Sequence, residues 1–259
     1  MITLYDNPFS PFARKVRMAL DHKGLPFTAV DALALAHLAD LGRVNSRREV
    51  PVLVDDDVTV VNSADIVAYL DHRYGEPLLL PADPARRVVA RAWERLADGV
   101  VDAVVHDISI WTWPTHRRED APPAGLIEVG HRDLRAVLAR AEAALADADF
   151  LGGDLSIADV ALFPHVSSFR LLGLPPEPAS HPRVCAWLAR MRVLPFVARD
   201  LAYVRRAAAE KFAGPGPSPY EGERIVWRGD RLEWLFANGF HAWWAAELAA
   251  GRAEVPASL

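Results

Sequence analysis

Cysteine is almost missing from this sequence. The chain of 259 residues contains only Cys185, so it has no means of forming an intrachain disulfide or a zinc site of several cysteines. The neighbours of Cys185 in "VCAWLARM" are apolar, which favours an inert thiol in the core of a helical region. The histidines also lack the spacing of a metal site. We therefore expect an intracellular protein with no bound metal or prosthetic group.

Long apolar runs and an excess of positive charge are missing too. No segment reaches about 18 uninterrupted apolar residues, so we expect no membrane span. The formal net charge of −5 argues against a nucleic-acid-binding protein, which usually needs a basic face. The first stretch, "MITLYDNPFS", lacks the basic start and apolar run of a signal peptide. These features predict a cytoplasmic protein whose partners are small molecules or proteins.

The first part of the chain alternates strand and helix signals in the order βαβαββα. An apolar stripe at three- and four-residue spacing predicts a helix from Pro11 that stops at Gly24. A shorter helix is expected to end at Gly42, and a third to start at Ser63. Strands are expected at residues 2–5 and in "PFTAVDA", "VPVLV" and "VTVV". The last two flank a run of aspartates, which predicts a hairpin.

A proline-rich segment, "GEPLLLPADP", separates this unit from a helical remainder. Long helices are expected over 84–110 and 124–147, and shorter ones from Ser156, from residue 181 or 182 and from about residue 194. The pattern predicts an α/β domain over 1–76 and an all-helical domain over 84–212. In "LSIADVALFP", Ser156 and Asp159 form a capping-box pattern, which we interpret as purely structural.

Ser10 and Pro11 open the first helix. Serine is a preferred N-cap and proline suits the first helical position, so a purely structural cap is the favoured interpretation from these two residues alone. The same geometry allows a function. The free amides and positive dipole end of a helix N-terminus stabilise an anion such as a thiolate. A hydroxyl at that place could donate a hydrogen bond to the thiolate and lower its pKa.

Two further segments have both structural and functional readings. In "EVPVL", a proline that opens a strand indicates either an edge strand or a cis bond between Val50 and Pro51. A cis bond would turn the backbone of Val50 toward the helix N-terminus that follows Ser10. In "NSADI", Ser63 is a good N-cap, and Asn62 adds polar groups at a second helix end that attracts anions.

These motifs occur in one order along the chain. Ser10 in "SPFARKVRMAL", then "EVPVL", "NSADIVAYL", the proline-rich segment and "LSIADVALFP" together resemble a glutathione S-transferase of the bacterial serine type. The resemblance implies a thioredoxin-like amino-terminal domain, an all-helical second domain and a homodimer. It also implies glutathione as co-substrate, bound to the first domain. A pocket for a small hydrophobic electrophile would lie between the two domains.

Residue by residue, the resemblance assigns the thiol-activating hydroxyl to Ser10. The backbone of Val50, beside Pro51, would pair with the peptide of glutathione, and Asn62 with Ser63 would hold its γ-glutamyl end. The remaining positions of the implied glutathione site are Phe12, His37 near the glycyl carboxylate, and Glu49.

Two of these positions depart from the usual family pattern. Asn62 stands where glutamate or glutamine is common, and Glu49 stands where many members carry lysine. Arg47 or Arg48 would then have to supply the clamp for a carboxylate. In the helical domain, the resemblance places Trp93 and three further residues at positions that face the electrophile pocket. A role in an aromatic core is an equally supported interpretation of these residues. Those three residues are His106, Trp111 and Trp113.

The last part of the chain lies outside the resemblance. A second linker, "GPGPSP", precedes an aromatic-rich extension over 220–259. Its apolar positions predict a helix over 230–250 that packs on the helical domain or across the dimer and narrows the electrophile pocket. The stripe consists of Leu235, Phe236, Phe240, Trp243, Trp244 and Leu248.

The function implied is that of an enzyme in which the glutathione thiolate attacks a small electrophile. Two alternatives stay open. A non-catalytic scaffold of the same fold that binds a protein partner is favoured by Asn62, Glu49 and the extension. A glutathione-dependent isomerase, dehalogenase or lyase would use the same first domain with different chemistry.

Overall fold

The computed structural model describes residues 1–113, 120–212, 225–226 and 229–254. It confirms the expected architecture of an α/β thioredoxin-like unit followed by a helical unit. The amino-terminal elements are β1 (Ile2–Asp6), α1 (Pro11–His22), β2 (Phe27–Asp31), α2 (Leu38–Val44), β3 (Val52–Asp55), β4 (Val58–Val61) and α3 (Ser63–Tyr74). The helices that follow are α4 (Pro84–Arg95), α5 (Asp102–Ser109), α6 (Leu126–Ala144), α7 (Ile157–Val166), α8 (Pro182–Val193) and α9 (Pro195–Phe212).

The sheet has the strand order β2-β1-β3-β4. β1 and β2 run parallel, while β3 is antiparallel to both β1 and β4. Leu4 and Leu53 pair across β1 and β3 and are fully buried. They belong to one continuous core that includes the inward faces of α1 and α3, namely Val16, Ala19, Leu20, Ile66, Val67 and Leu70.

Local sequence signals explain where α1 begins and ends. Ser10 is the N-cap in extended backbone, Pro11 is the first helical residue, and Gly24 takes a φ of 67° just beyond the C-cap. The prediction for the second helix was less accurate. A 3-10 turn (Leu35–His37) leads into α2, and that helix continues past Gly42 to Val44.

The helical unit is organised around α7, which is buried along its whole length. Its capping box is formed as predicted by Ser156 and Asp159. The Asp159 carboxylate also accepts the Trp187 indole N–H (2.9 Å) and the backbone N–H of Leu151 (2.9 Å). Burial is the main reason why the pKa of Asp159 rises to about 6, because these donors only partly offset the loss of water.

The proline-rich segment between the units is not a free linker. Leu79 and Leu80 are buried, and their backbone N–H groups donate to the carboxylate of Asp71. The Leu79 carbonyl in turn accepts the N–H of Ile157 at the start of α7 (2.8 Å). This segment therefore attaches the two units to each other, and the predicted division at residues 76 and 84 stays a prediction.

Two clusters of buried charges join α1 to the helical unit. The Asp200 carboxylate on α9 accepts from Arg14 (2.9 Å) and from Arg17 (2.8 and 3.0 Å), and all three side chains are buried. On another side of α1, Lys15 donates to Glu94 (3.0 Å) and to Asp98 (2.5 Å). Asp98 lies in a π-helical turn (Leu96–Val101) between α4 and α5, a distortion that is frequent at functional sites.

The extension forms two helices rather than the single predicted one. These are α10 (Gly229–Ala237) and α11 (His241–Ala249), flanked by the short strands β5 (Ile225–Val226) and β6 (Ala253–Glu254). Gly239, with a φ of 85°, breaks the helix, because a left-handed residue cannot continue a right-handed helix. α10 packs on α5, which confirms the predicted docking on the helical unit. The second linker and Trp227 lie outside the described residues.

None of the described helices combines the length and apolarity that a membrane crossing requires. In the same part of the chain, no group of three or more histidine, cysteine or acidic side chains is placed to hold a metal ion.

The Asp200 cluster generates a stability prediction. Asp200→Ala is expected to lower the free energy of unfolding by about 3–5 kcal/mol, because it leaves the buried guanidinium groups of Arg14 and Arg17 without their shared carboxylate. Asp21→Ala is a matched control, since its pair with Arg199 (3.0 Å) joins the same two helices at the surface. Its expected cost is below about 1 kcal/mol. Urea unfolding measures both, and similar small losses would show that the Asp200 cluster is not a buried clamp.

Candidate functional site

The strand register brings four segments to one end of the sheet. Asp6 pairs with Asp31 at the end of β1 and β2, and Tyr5 pairs with Val52 at the start of β3. Val52 in turn pairs with Val61 at the end of β4. The segments that precede β3 and follow β1, β2 and β4 therefore leave the sheet at this end, and they carry six of the predicted site residues. They are Ser10, His37, Val50, Pro51, Asn62 and Ser63.

Ser10 lies in a loop that Asn7 holds in place. The Asn7 side-chain oxygen accepts the backbone N–H groups of Phe9 (3.0 Å) and Ser10 (3.1 Å), while its amide donates to Asp31 (3.4 Å). The Ser10 hydroxyl oxygen accepts the N–H of Ala13 at 3.4 Å. Ser10 is half-buried, and its hydroxyl hydrogen is not used in that bond. A capping role and a donor role toward a ligand are therefore compatible.

Arg17 also holds the loop before Ser10, a role that the sequence did not reveal. Its guanidinium donates to the carbonyl oxygens of Pro8 (3.0 Å) and Asn7 (3.3 Å) and forms an ion pair with Asp6. The Tyr203 ring lies over it, 4.6 Å from its Cζ atom. Burial, followed by the Asp6 carboxylate, raises the pKa of the Tyr203 phenol, which stays neutral. No local signal marks Arg17, because its partner Asp200 is distant in sequence.

The Val50–Pro51 peptide bond is cis, as one of the two sequence readings required. Pro51 is buried and Val50 is half-buried. The preceding turn is held by Asn45, whose side-chain amide donates to the Glu49 carbonyl (3.0 Å). Asn45 also accepts the backbone N–H of Arg47 (3.1 Å). The turn therefore presents the Val50 backbone at the sheet end where Ser10 lies.

Glu49 and Arg47 form a forked ion pair. The Nη2 and Nε atoms of Arg47 lie 3.0 and 3.2 Å from the two carboxylate oxygens of Glu49. The glutamate at the position where the family often has lysine is thus partly neutralised by its own neighbour. Arg48 is exposed, with a left-handed φ of 52°. The suggestion that Arg47 replaces the missing lysine requires this fork to open or to be shared.

Asn62, not Ser63, is the N-cap of α3, which corrects the sequence assignment. The Asn62 side chain accepts the N–H of Ala64 (2.9 Å), and Ser63 is the buried first residue of the helix. The backbone of Asn62 has a φ of 72° and a ψ of 125°, which costs free energy for a residue with a Cβ atom. Strained residues of this kind cluster at ligand sites, and the assignment of this segment to glutathione stays a prediction.

Phe12 points from α1 into the helical unit. Its ring meets the imidazole of His165 on α7 edge to face, with 6.4 Å between ring centres. His165 is buried, and this burial is the main cause that lowers the pKa of His165 to about 4. The residue therefore stays neutral at physiological pH. No sequence signal marks His165, since one histidine in an apolar helix is not distinctive.

His37 ends the 3-10 turn after β2 and is exposed. The structure gives it no described hydrogen bond to the loops that carry Ser10 or Val50. Its assignment to the glycyl carboxylate, like the assignments of Phe12 and Glu49 to glutathione, stays a prediction.

The predicted electrophile residues lie at the end of α5 and in the turn that follows. His106 is half-buried, and its carbonyl accepts the hydroxyl of Ser109 (2.8 Å). The Trp111 ring packs on Trp243 of the extension, with 5.6 Å between ring centres. Trp113 is half-buried against the common core. Trp93, by contrast, is a buried core residue on α4 with Arg140 over its ring.

Two cavities lie elsewhere in the helical unit. One, of about 400 Å³, is lined by segments of 145–149 and 183–190, and the other, of about 170 Å³, includes Cys185. Neither is lined by a predicted site residue. Cys185 is half-buried rather than in the core, and its thiol donates to the carbonyl of Pro176 (3.6 Å). Burial is the main cause that raises the pKa of this thiol, which disfavours the thiolate form, and its expected inertness stays a prediction.

Two family models match the chain. Residues 4–78 match the model described as the glutathione S-transferase N-terminal domain, and residues 117–190 match the glutathione S-transferase C-terminal domain. A probable glutathione S-transferase of rice, Oryza sativa subsp. japonica, is 32% identical over 214 residues, covering 77% of this chain and 89% of the relative. The matches to the family models end before α9 and the extension.

Two further relatives bear on function. A glutathione S-transferase from Methylobacterium radiotolerans, solved in complex with glutathione sulfonate, superposes with a TM-score of 0.66 at 30% identity, covering 77% of this chain and 93% of that one. FtsZ-localized protein A of Caulobacter vibrioides is 29% identical over 178 residues, covering 66% of this chain and 78% of the relative. The second protein is named for where it localises rather than for a reaction.

The buried imidazole of His165 generates a pH prediction. Its pKa is about 4 in the folded protein and about 6.5 when unfolded, so the unfolded chain binds more protons between these values. Its contribution to stability is therefore present above pH 6.5 and lost as the pH falls toward 4. We expect the stability advantage of wild type over His165→Gln to be about 2 kcal/mol smaller at pH 5 than at pH 7.

Urea unfolding at the two pH values measures this difference. Exposed His37→Gln is the control, and its difference from wild type is expected to be the same at both. An advantage of wild type over His165→Gln that does not change with pH would mean that His165 reaches water in the folded protein.

Proposed function

Because the chain belongs to the glutathione S-transferase family, we propose that it is an enzyme that binds glutathione at this end of the sheet and transfers its thiolate to a small hydrophobic electrophile. The observation that carries the proposal is the Ser10 hydroxyl at the N-terminus of α1. It lies at the same sheet end as the cis Val50–Pro51 bond and the strained Asn62.

Thiolate stabilisation is the chemical role proposed for Ser10. Its oxygen accepts the Ala13 N–H, which leaves the hydroxyl hydrogen to donate to the sulfur of glutathione. The dipole of α1 adds positive potential at the same place. A thiol with a pKa of about 8.5 is about 3% ionised at pH 7, and lowering that pKa by about two units raises the ionised fraction about 25-fold. Holding the electrophile beside the sulfur adds a proximity effect.

The remaining proposed contacts bind the main chain and the γ-glutamyl end of glutathione. We assign the glutathione main chain to the backbone of Val50, beside Pro51, and the γ-glutamyl end to Asn62 and Ser63. The N-terminus of α3 favours the γ-glutamyl carboxylate through its free amides and dipole. Phe12, His37 and Glu49 complete the assigned glutathione site. His106, Trp111 and Trp113 are assigned to the electrophile.

A homodimer is part of the proposal. The outer side of the helical unit exposes the apolar side chains of Val88, Val89 and Val100, and the edge strand β4 exposes Val58 and Val61. Exposed apolar surface and an unpaired strand edge are features that association covers. Their presence supports assembly of two copies, as is usual for the family.

A non-catalytic scaffold is the second candidate. The specific observation in its favour is the fork between Arg47 and Glu49, which engages a guanidinium that was expected to replace the missing lysine. The similarity to the FtsZ-localized protein supports the same alternative. Calorimetric titration with glutathione, followed by a turnover assay with 1-chloro-2,4-dinitrobenzene, separates the candidates. An enzyme binds and turns over, whereas a protein that does neither refutes the proposal.

Removing the hydroxyl tests the role of Ser10. Ser10→Ala is expected to lower kcat/KM by about one to two orders of magnitude, equivalent to about 1.4–2.7 kcal/mol of barrier, because the thiolate loses its donor. The fold should persist, since losing a cap costs only about 1 kcal/mol. Ser167→Ala, which removes a hydroxyl bonded to Pro164, is the control and should turn over like wild type. If Ser10→Ala also keeps full turnover, Ser10 is only a cap.

The charge of the γ-glutamyl site provides a separate prediction. Asn62→Asp keeps the shape and the cap on Ala64 and adds a negative charge for the α-ammonium group of glutathione. An exposed ion pair contributes up to about 1 kcal/mol, so the Kd for glutathione should fall about fivefold. Calorimetry at low salt measures this change. The control is Ser46→Asp, which adds the same charge at an exposed position near the Glu49 turn and should leave the Kd for glutathione unchanged. Equal or weaker binding by Asn62→Asp would mean that Asn62 does not face the ammonium group.

A further inference from the structure

The extension covers a part of the helical unit that the proposed reaction uses. α10 packs along α5 and the π-helical turn before it. α5 leads directly to Trp111 and Trp113, the predicted electrophile residues. Because the extension lies beyond the segments that match the family models, those matches assign nothing to it.

A buried ion pair anchors the extension to the start of α5. Arg231 on α10 donates from Nη2 (3.0 Å) and Nε (3.2 Å) to one carboxylate oxygen of Asp102, at the first residue of α5. Both side chains are largely buried. Asp102 and Arg231 both act electrostatically on His165, whose ring contacts Phe12.

Two more polar contacts fix the orientation of α10 against α6. The Trp234 indole N–H donates to Asp133 (2.9 Å), and the Asn238 side-chain oxygen accepts from Arg132 (3.2 Å). Trp234 is buried, and the Phe240 ring lies beside it with 6.4 Å between ring centres. The chain then turns at Gly239, and this turn sets the position of α11.

This turn places Trp243 of α11 against Trp111, just beyond the C-terminal end of α5. The ring of Trp243 on α11 lies on Trp111, tilted by 54°. α5 and its following turn therefore extend from the Arg231 anchor to this pair, about 13 Å along the helix axis. Two other apolar side chains of the extension point outward, since Phe236 is 46% and Leu248 is 43% exposed. The extension therefore does not bury all of its apolar side chains, and the contact between Trp243 and Trp111 is specific.

We propose that the extension forms one wall of the electrophile site, with Trp243 as a positioning residue that holds Trp111 and favours flat aromatic electrophiles. The inference rests on the function proposed above. Aromatic rings prefer stacked or edge-to-face partners, and a fixed tryptophan offers such a surface. Without Trp243, the Trp111 ring gains rotamer freedom, so a flat substrate loses a pre-organised contact. A compact aliphatic electrophile does not use that surface.

The experiment uses the full chain and two probes, 1-chloro-2,4-dinitrobenzene as the flat aromatic electrophile and iodoacetamide as the compact one. Trp243→Ala is expected to raise KM for the aromatic probe about fivefold or more. Its kcat/KM for iodoacetamide and its Kd for glutathione should change less than twofold. Trp243→Phe, which keeps a ring against Trp111, should bring the aromatic KM back to within about twofold of wild type.

Phe236→Ala is the matched control, because it removes an aromatic ring from the same extension on its exposed side. It should leave both probes unchanged. Arg231→Ala, which releases the anchor on Asp102, should shift the aromatic KM in the same direction as Trp243→Ala. Thermal melting of each variant verifies that the helical unit is folded.

The outcomes separate the two proposals. If Trp243→Ala affects both probes equally, or if neither it nor Arg231→Ala changes the aromatic KM, the extension is a structural cover and the inference is wrong. If the wild-type protein binds no glutathione and turns over neither probe, the proposed function fails, and this inference fails with it.

Discussion

The Asp200 carboxylate is the point on which the arrangement of the two units depends. It accepts hydrogen bonds from Arg14 and Arg17, two guanidinium groups on one face of α1, and all three side chains are buried. A buried charge is costly unless it is fully paired, so each partner requires the others at their observed positions. α9 therefore fixes α1 against the helical unit more specifically than apolar packing alone, which tolerates small shifts.

The geometry around Ser10 follows from this constraint. Arg17 also bonds the carbonyl oxygens of Asn7 and Pro8, so the loop before Ser10 is held by a side chain that α9 holds in turn. A second ionic contact, between Lys15 and the π-helical turn, restrains another side of α1. A donor that stabilises a thiolate is effective only when pre-organised. The helical unit thus contributes to a site whose proposed glutathione contacts lie in the amino-terminal unit.

The enzyme and the scaffold share almost all of these features. The cap at Ser10, the cis bond at Pro51 and the strained backbone at Asn62 shape a ligand site whichever function the protein has. The observation that bears on the choice between them is the ion pair of Glu49 with Arg47, at the solvent-accessible rim of the proposed glutathione site. A small charge change at the rim alters affinity for an anionic tripeptide without altering the fold, because rim contacts are solvated and make small contributions to stability.

The sequence by itself determined the elements that depend on local chemistry. The cap at Ser10, the stop at Gly24, the capping box at Ser156 and the hairpin after Asp55 follow from residues a few positions apart. It also supported the family and the fold, since the ordered motifs are specific together. Tertiary structure alone decided which residue caps α3, how Glu49 pairs, and where Arg17, His165 and Arg231 lie. Asn62 and Glu49 have partners only two residues away, and the backbone geometry of the folded chain selected them. The partners of Arg17, His165 and Arg231 are distant in the sequence, and a buried charge or ring acquires its role only when folding brings that partner within contact distance.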